Sequence, residues 1–182
     1  FKNDFSKDSK IPLLDGINEI RNTLLGIKNS VRLAGLSGVG KTRLTQSLFD
    51  DSIGENPLNK QTVIYGDVGD SLFPDPITFI QQLQKENKRI ILIVDNCEAT
   101  MHNKLTEICQ RENSSISLMT IEYDVKEDDN VDSNNYYLSS TSEDVLRQLI
   151  KRDFSDISDI NIDTIVNCSE GNFRIAIYLA KS

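Results

Sequence analysis

The segment Gly35-Leu36-Ser37-Gly38-Val39-Gly40-Lys41-Thr42 constrains this chain more than any other feature. It is a complete G-x-x-x-x-G-K-[ST] string, and its surroundings matter more than the string itself. An apolar run at 31–34 precedes it, and a helical pattern over 41–49 follows, with Leu44 and Leu48 four residues apart. Strand, glycine-rich turn and helix in that order form a loop that wraps a phosphate. Glycines let successive backbone N–H groups turn inward, and a helix N-terminus adds partial positive charge at the same place. On this reading Gly35, Ser37, Gly38, Val39 and Gly40 line the phosphates. Lys41 bridges the terminal ones and the Thr42 hydroxyl holds Mg2+. The plain alternative is a glycine-rich turn between two elements, and the strand and helix standing in register argue against it.

Five short apolar runs read as buried strands: 31–34, 62–65, 90–94, 116–121 and 136–138. Helical patterns lie between them at 15–27, 41–49, 77–83 and 101–109, the third starting after Pro74 and Pro76. Strands alternating with helices imply an α/β three-layer sandwich whose parallel five-stranded sheet is covered on both faces. From residue 141 onward the rhythm is helical only, with patterns through Leu146 and Leu149, over 162–166 and over 173–179. The expected organisation is an approach segment and helix at 1–30, a core at 31–140 and the start of a small helical lid at 141–182.

A phosphate loop of this kind works with an acidic residue at the end of a buried strand, which orients Mg2+ through water. Asp95, closing the run Ile90-Ile91-Leu92-Ile93-Val94, fits that role. The run at 62–65 separates the two motifs, as in P-loop NTPases that insert a strand between the phosphate-loop strand and the metal strand. Many ATPases of that division place Glu directly after the metal Asp to polarise the attacking water, whereas this chain has Asn96. In an extended strand Thr120, Glu122 and Asp124 share one face. Thr120 then stands where such enzymes keep a polar residue sensing the γ-phosphate. Glu122 or Asp124 is the candidate for the missing carboxylate, and the competing expectation is slow hydrolysis with the nucleotide acting as a switch.

Arg174 falls in the first turn of the last helical pattern, after Gly171 and a capping Asn172. A cation there runs against the helix dipole, so either a nucleotide phosphate or a nearby acid such as Glu170 compensates it. Arg43 is read as exposed or paired with an acid, or else as a contact to the nucleotide or a neighbouring subunit.

The net charge of −8 argues against direct nucleic-acid binding by the domain as a whole. No apolar run approaches the roughly 20 residues of a membrane span. The three cysteines, Cys97, Cys109 and Cys168, lack paired spacing, which excludes a disulfide scaffold or zinc ribbon and fits a reducing cytoplasm. His102 is the sole histidine, so neither a metal cluster nor a Ser/His/Asp set is expected from it. The acidic stretch 124–135 reads as a solvated loop, because Asp124, Asp128, Asp129 and Asp132 miss the alternating spacing of a calcium loop. The chain opens at Phe1 and stops just after an apolar helical pattern, so it is read as one domain of a longer protein.

Together the loop Gly35–Thr42 with Arg43-Leu44, "VDNC" at 94–97, "TIEYD" at 120–124 and "GNFRIA" at 171–176 resemble the STAND class of P-loop ATPases. That class lies within the AAA+-like division, and the narrower likeness is to bacterial multidomain defence proteins. The resemblance implies an ATP/ADP-binding, Mg2+-dependent switch held between sheet and helical lid. It implies slow regulatory ATPase activity, further domains in the same polypeptide and self-association when ATP is bound. By position Lys41 and Thr42 match the phosphate loop, Asp95 the metal carboxylate, Thr120 the γ-phosphate sensor and Arg174 the second-sensor arginine of such lids. The alternatives are a AAA+ motor or loader, which needs a catalytic carboxylate and an arginine finger, and a nucleotide-binding assembly scaffold that does not hydrolyse. A small-molecule kinase would carry an Arg-rich lid that is not found here. GTP preference would call for an N-K-x-D motif, which does not occur.

Overall fold

The computed structural model describes residues 2–3, 11–70, 73–86, 88–123 and 133–182. Its strands are β1 (Lys2–Asn3), β2 (Ser30–Ala34), β3 (Val63–Asp67), β4 (Ile90–Asp95), β5 (Ile116–Glu122) and β6 (Asn134–Tyr137). Its α-helices are α1 (Leu13–Leu25), α2 (Lys41–Ser47), α3 (Pro76–Lys85), α4 (Ala99–Cys109), α5 (Glu143–Asp153), α6 (Asp159–Ser169) and α7 (Phe173–Lys181). The sheet order is β1-β6-β2-β5-β4-β3. Strands β2 to β6 run parallel as the sequence rhythm requires, and β1 adds a short antiparallel edge beside β6 that the pattern did not announce.

Side-chain alternation divides the sheet residues between two cores. Val31, Leu33, Ile91, Ile93, Met119 and Ile121 pack with Ile17, Ile20 and Leu24 of α1, with Leu44 of α2 and with Leu48 just past its end. Ile90, Leu92, Val94, Ile116 and Leu118 point the other way, against Ile80 and Leu83 of α3 and Leu105 and Ile108 of α4. The result is the expected three-layer sandwich. Full burial of Leu48 is worth about 1.5–3 kcal/mol and anchors the helix that carries Lys41. Cys97 and Cys109 are buried packing residues, and loss of solvent pushes both thiols up to about 12. A third core of Leu146, Ile150, Ile162, Ile165, Val166 and Ala176 joins α5, α6 and α7.

Caps explain several element starts. Asp75 accepts from the N–H groups of Ile77 and Thr78 ahead of α3, Ser158 from Asn161 ahead of α6, and Asn172 from Arg174 and Ile175 ahead of α7. Two helix ends come earlier than periodicity suggests, and arginines that take the terminal carbonyls are the reason. Helix α1 ends at Leu25, where Arg89 donates to the carbonyls of Leu24 and Gly26. Helix α2 ends at Ser47, not at residue 49. The fully buried Arg21 takes the carbonyls of Ser47 (2.6 Å), Leu48 (3.0 Å) and Asp50 (2.8 Å), together with those of Ile53 and Glu55. Most of the acidic stretch, including Asp124, Asp128, Asp129 and Asp132, lies outside the described residues. No helix among the described residues is long and apolar enough to cross a membrane.

Candidate nucleotide-binding site

The loop leaves β2 at a reversal of the strand order. From β2 the chain passes through α2 to the far edge strand β3 and returns through β4 and β5. It then crosses β2 to reach β6 on the other side. Crevices at such reversals, outside the carboxyl ends of parallel strands, are where open α/β sheets bind ligands. Gly38 and Gly40 have φ of +87° and +104°, conformations that L side chains rarely adopt. Gly40 caps α2 in that left-handed state and turns the chain into the helix. The Lys41 ammonium donates to the carbonyls of Gly35 (2.6 Å) and Leu36 (3.0 Å), so the loop closes around its own cation. Partial burial lowers the Lys41 pKa, Asp95 opposes that shift and the nearby Arg174 charge adds to it. Thr42 and Arg43 are exposed on the first turn of α2, and Arg43 donates to Gln46.

Asp95 ends β4 on the same face as the phosphate loop. Its Oδ1 accepts the Asn96 N–H (2.9 Å) and its Oδ2 accepts the Tyr65 hydroxyl (2.7 Å). Burial, and then the bond to Asp95, raise the Tyr65 pKa, so the phenol stays protonated and remains a donor. Asp67 is the register partner of Asp95 on β3 and accepts from the Asn96 side-chain amide (2.6 Å) and the Gly69 N–H (2.8 Å). Tyr65 and Asp67 were not anticipated. The available signal was a strand ending in polar residues, Tyr65-Gly66-Asp67, at the same edge of a parallel sheet as Asp95.

The helical subdomain reaches the loop from above. The Asn172 side-chain amide donates to the Ser37 carbonyl (2.7 Å) and Arg174 Nη1 donates to the Ser37 hydroxyl (3.0 Å). Sequence reasoning gave Asn172 its capping role only, and it performs both. Arg174 sits on the phosphate loop and not on Glu170.

Thr120 and Glu122 share a strand face, as alternation predicts, but it is the face toward α4. The Thr120 hydroxyl lies 2.7 Å from His102 Nδ1, and His102 Nε2 lies 3.1 Å from the Ser133 hydroxyl. Glu122 forms a buried ion pair with Arg32 of β2. The structure therefore brings Lys41, Asp95, Ser37 and Arg174 together, and places Thr120 and Glu122 across the sheet from them in other partnerships. His102, which carried no expectation, is the buried neighbour of Thr120.

No protein-family model matches the sequence, and no curated protein does. Among solved structures, the chain is similar to a Signal Transduction ATPase with Numerous Domains (STAND) protein with a tetratricopeptide repeat sensor from Pyrococcus horikoshii. That likeness has a TM-score of 0.55 at 12% identity, over 96% of this chain and 30% of the other. A second similar structure is the replication initiator DnaA bound to AMPPCP and single-stranded DNA, with a TM-score of 0.56 at 16% identity over 92% of this chain and 58% of that one. The likeness is one of fold, an α/β architecture of the P-loop NTPase kind, and this chain spans less than two thirds of either neighbour.

Proposed function

We propose that this chain is the Mg2+-dependent ATP/ADP switch domain of a larger signalling or antiviral-defence ATPase. It hydrolyses ATP slowly, and the bound nucleotide gates self-association and effector activation. The observation that carries this reading is the junction at Ser37, where Asn172 and Arg174 of the helical lid (141–182) touch the phosphate loop next to Lys41. A ligand shifts an equilibrium only by its differential affinity for the two states, and a lid cation beside the loop provides such a difference between ATP and ADP. Gly35, Ser37, Gly38, Val39, Gly40 and Lys41 hold the phosphates, while Thr42 and Asp95 hold Mg2+. The residues fit the metal, since Asp95 is held by two donors on the loop's side of the sheet. Mg2+ there supplies charge neutralisation on the phosphates. The Arg32–Glu122 pair supports slow hydrolysis, because it occupies the carboxylate that the adjacent strand β5 offers in place of the one missing after Asp95.

Calorimetry of the folded chain with MgATP and MgADP tests the reading. Binding of both is expected, with loss of both in Lys41→Ala. Absence of heat from every adenosine and guanosine di- and triphosphate would end it. Single-turnover measurements separate the switch from the non-hydrolysing scaffold, which binds ATP and never cleaves it.

A further inference from the structure

Asn96, which stands where a catalytic Glu was sought, is in the left-handed conformation with φ of +54°. Asn tolerates that region better than most residues, and the turn lets it hold two carboxylates at once. Its backbone N–H bonds Asp95 Oδ1 and its side-chain amide bonds Asp67 Oδ1. Asp67 and Asp95 are directly opposite on adjacent parallel strands, about 4.8 Å apart in the pairing direction. Opposite residues of a ladder point to the same face, so Asp67 lies on the phosphate-loop side with Asp95 and Tyr65. Both bonds to Asp67 fall on Oδ1. They fix the plane of the carboxylate and leave Oδ2 as its second acceptor. The arrangement is a carboxylate from β3 and an amide from β4, where many ATPases of this division take the carboxylate from the metal strand itself.

We propose that Asp67 is the proton acceptor for the attacking water in this site, with Asn96 as its positioning residue. The inference rests on the nucleotide-switch reading and identifies the group that gives the switch its turnover. In the step, a water O–H bond breaks and its proton passes to Asp67 Oδ2 as the water oxygen bonds to the γ-phosphorus. The bond from that phosphorus to the β–γ bridging oxygen breaks, and ADP leaves with the electron pair. The proton then returns to solvent or phosphate. A positioned general base contributes about 10²–10⁴-fold, and one reaching from a neighbouring strand falls near the lower figure.

Asp67→Asn keeps Oδ1 for both donors, so the turn survives while basicity is lost. The experiment measures single-turnover ATP hydrolysis and MgATP affinity on the same preparations of wild type, Asp67→Asn, Asn96→Ala and Glu122→Gln. Expected are a loss of about 100-fold in Asp67→Asn, a smaller loss in Asn96→Ala, an unchanged rate in Glu122→Gln, and wild-type ATP affinity in Asp67→Asn. An Asp67→Asn rate within twofold of wild type at intact affinity overturns the role of Asp67 alone, as does a wild type that binds ATP and never cleaves it. Failure of the wild type to bind any nucleotide overturns the underlying reading and this inference with it.

Discussion

Replacing Arg174 by Ala should weaken ATP binding and leave ADP binding nearly intact. The guanidinium bonds the Ser37 hydroxyl at 3.0 Å, and its charge adds to the burial that lowers the pKa of Lys41. Two cations thus converge on the loop, and a third phosphate would meet both. A hydrogen bond to a charged group contributes about 1.5–3 kcal/mol. Arg174 is exposed, so solvent screening places the effect at the lower end. About 1.5 kcal/mol corresponds to roughly a tenfold rise in Kd for ATP. ADP lacks the γ-phosphate, and its Kd should change by less than about threefold, or roughly 0.7 kcal/mol. Titration calorimetry of MgATP and MgADP into wild type, Arg174→Ala and Arg174→Lys reads both numbers directly. Lys keeps the charge and loses the planar fork, so it should recover part of the ATP affinity. Equal losses of ATP and ADP would refute the γ-phosphate role, and no loss of either would remove Arg174 from the site.

Gly38→Ala should detach the lid. A Cβ there collides with the Asn172 carboxamide and comes within 2.8 Å of Arg174 Cβ, at a φ of +87°. At Gly40 the nearest atoms to an added Cβ are those of the Phe173 ring at 3.8 Å. Limited proteolysis of the helical subdomain should therefore accelerate in Gly38→Ala and not in Gly40→Ala, and equal acceleration would refute the steric argument. Arg21→Met should destabilise the whole domain. If only two of the five carbonyls served by Arg21 stay dry, the loss is about 3–6 kcal/mol at about 1.5–3 kcal/mol each. A urea-unfolding change below about 1 kcal/mol would contradict the capping role. Chelating Mg2+ with EDTA should weaken ATP binding in wild type and leave Asp95→Asn indifferent. An identical EDTA effect in both proteins would exclude Asp95 from the metal site.

The parallel sheet was legible because its evidence is local: five apolar runs, each of strand length, separated by helical spacing. The phosphate loop was legible for the same reason, since its residues are contiguous. What escaped depends on register and on long-range polar contacts. Nothing near Arg21 in the chain announces that its guanidinium closes the end of α2, because its acceptors lie 26–34 residues away. Alternation placed Thr120 and Glu122 together on one face but could not say which layer that face meets. The answer depends on α4 lying on it with His102, and on Arg32 emerging from β2 toward the same side. Asp67 escaped because its relation to Asp95 exists only once β3 and β4 pair in register.

Energetic scale also bears on what this domain can do alone. Moving a two-state equilibrium from 1:99 to 99:1 takes a differential affinity of about 5.5 kcal/mol. Arg174, at about 1.5–3 kcal/mol, supplies less than that even at its upper figure. The other lid contact with the loop, from Asn172 to the Ser37 carbonyl, joins protein to protein and so favours neither ATP nor ADP by itself. On the proposed reading the isolated domain responds to ATP in a graded way, and the remaining free energy comes from surfaces beyond the lid junction. Self-association is one source, because a second copy that binds only the ATP-shaped lid adds its own differential affinity to that of Arg174. The lid rearrangement of the isolated chain should then be partial at saturating ATP and become steeper as protein concentration rises. A complete, concentration-independent transition in the isolated chain would show that the lid junction alone is sufficient.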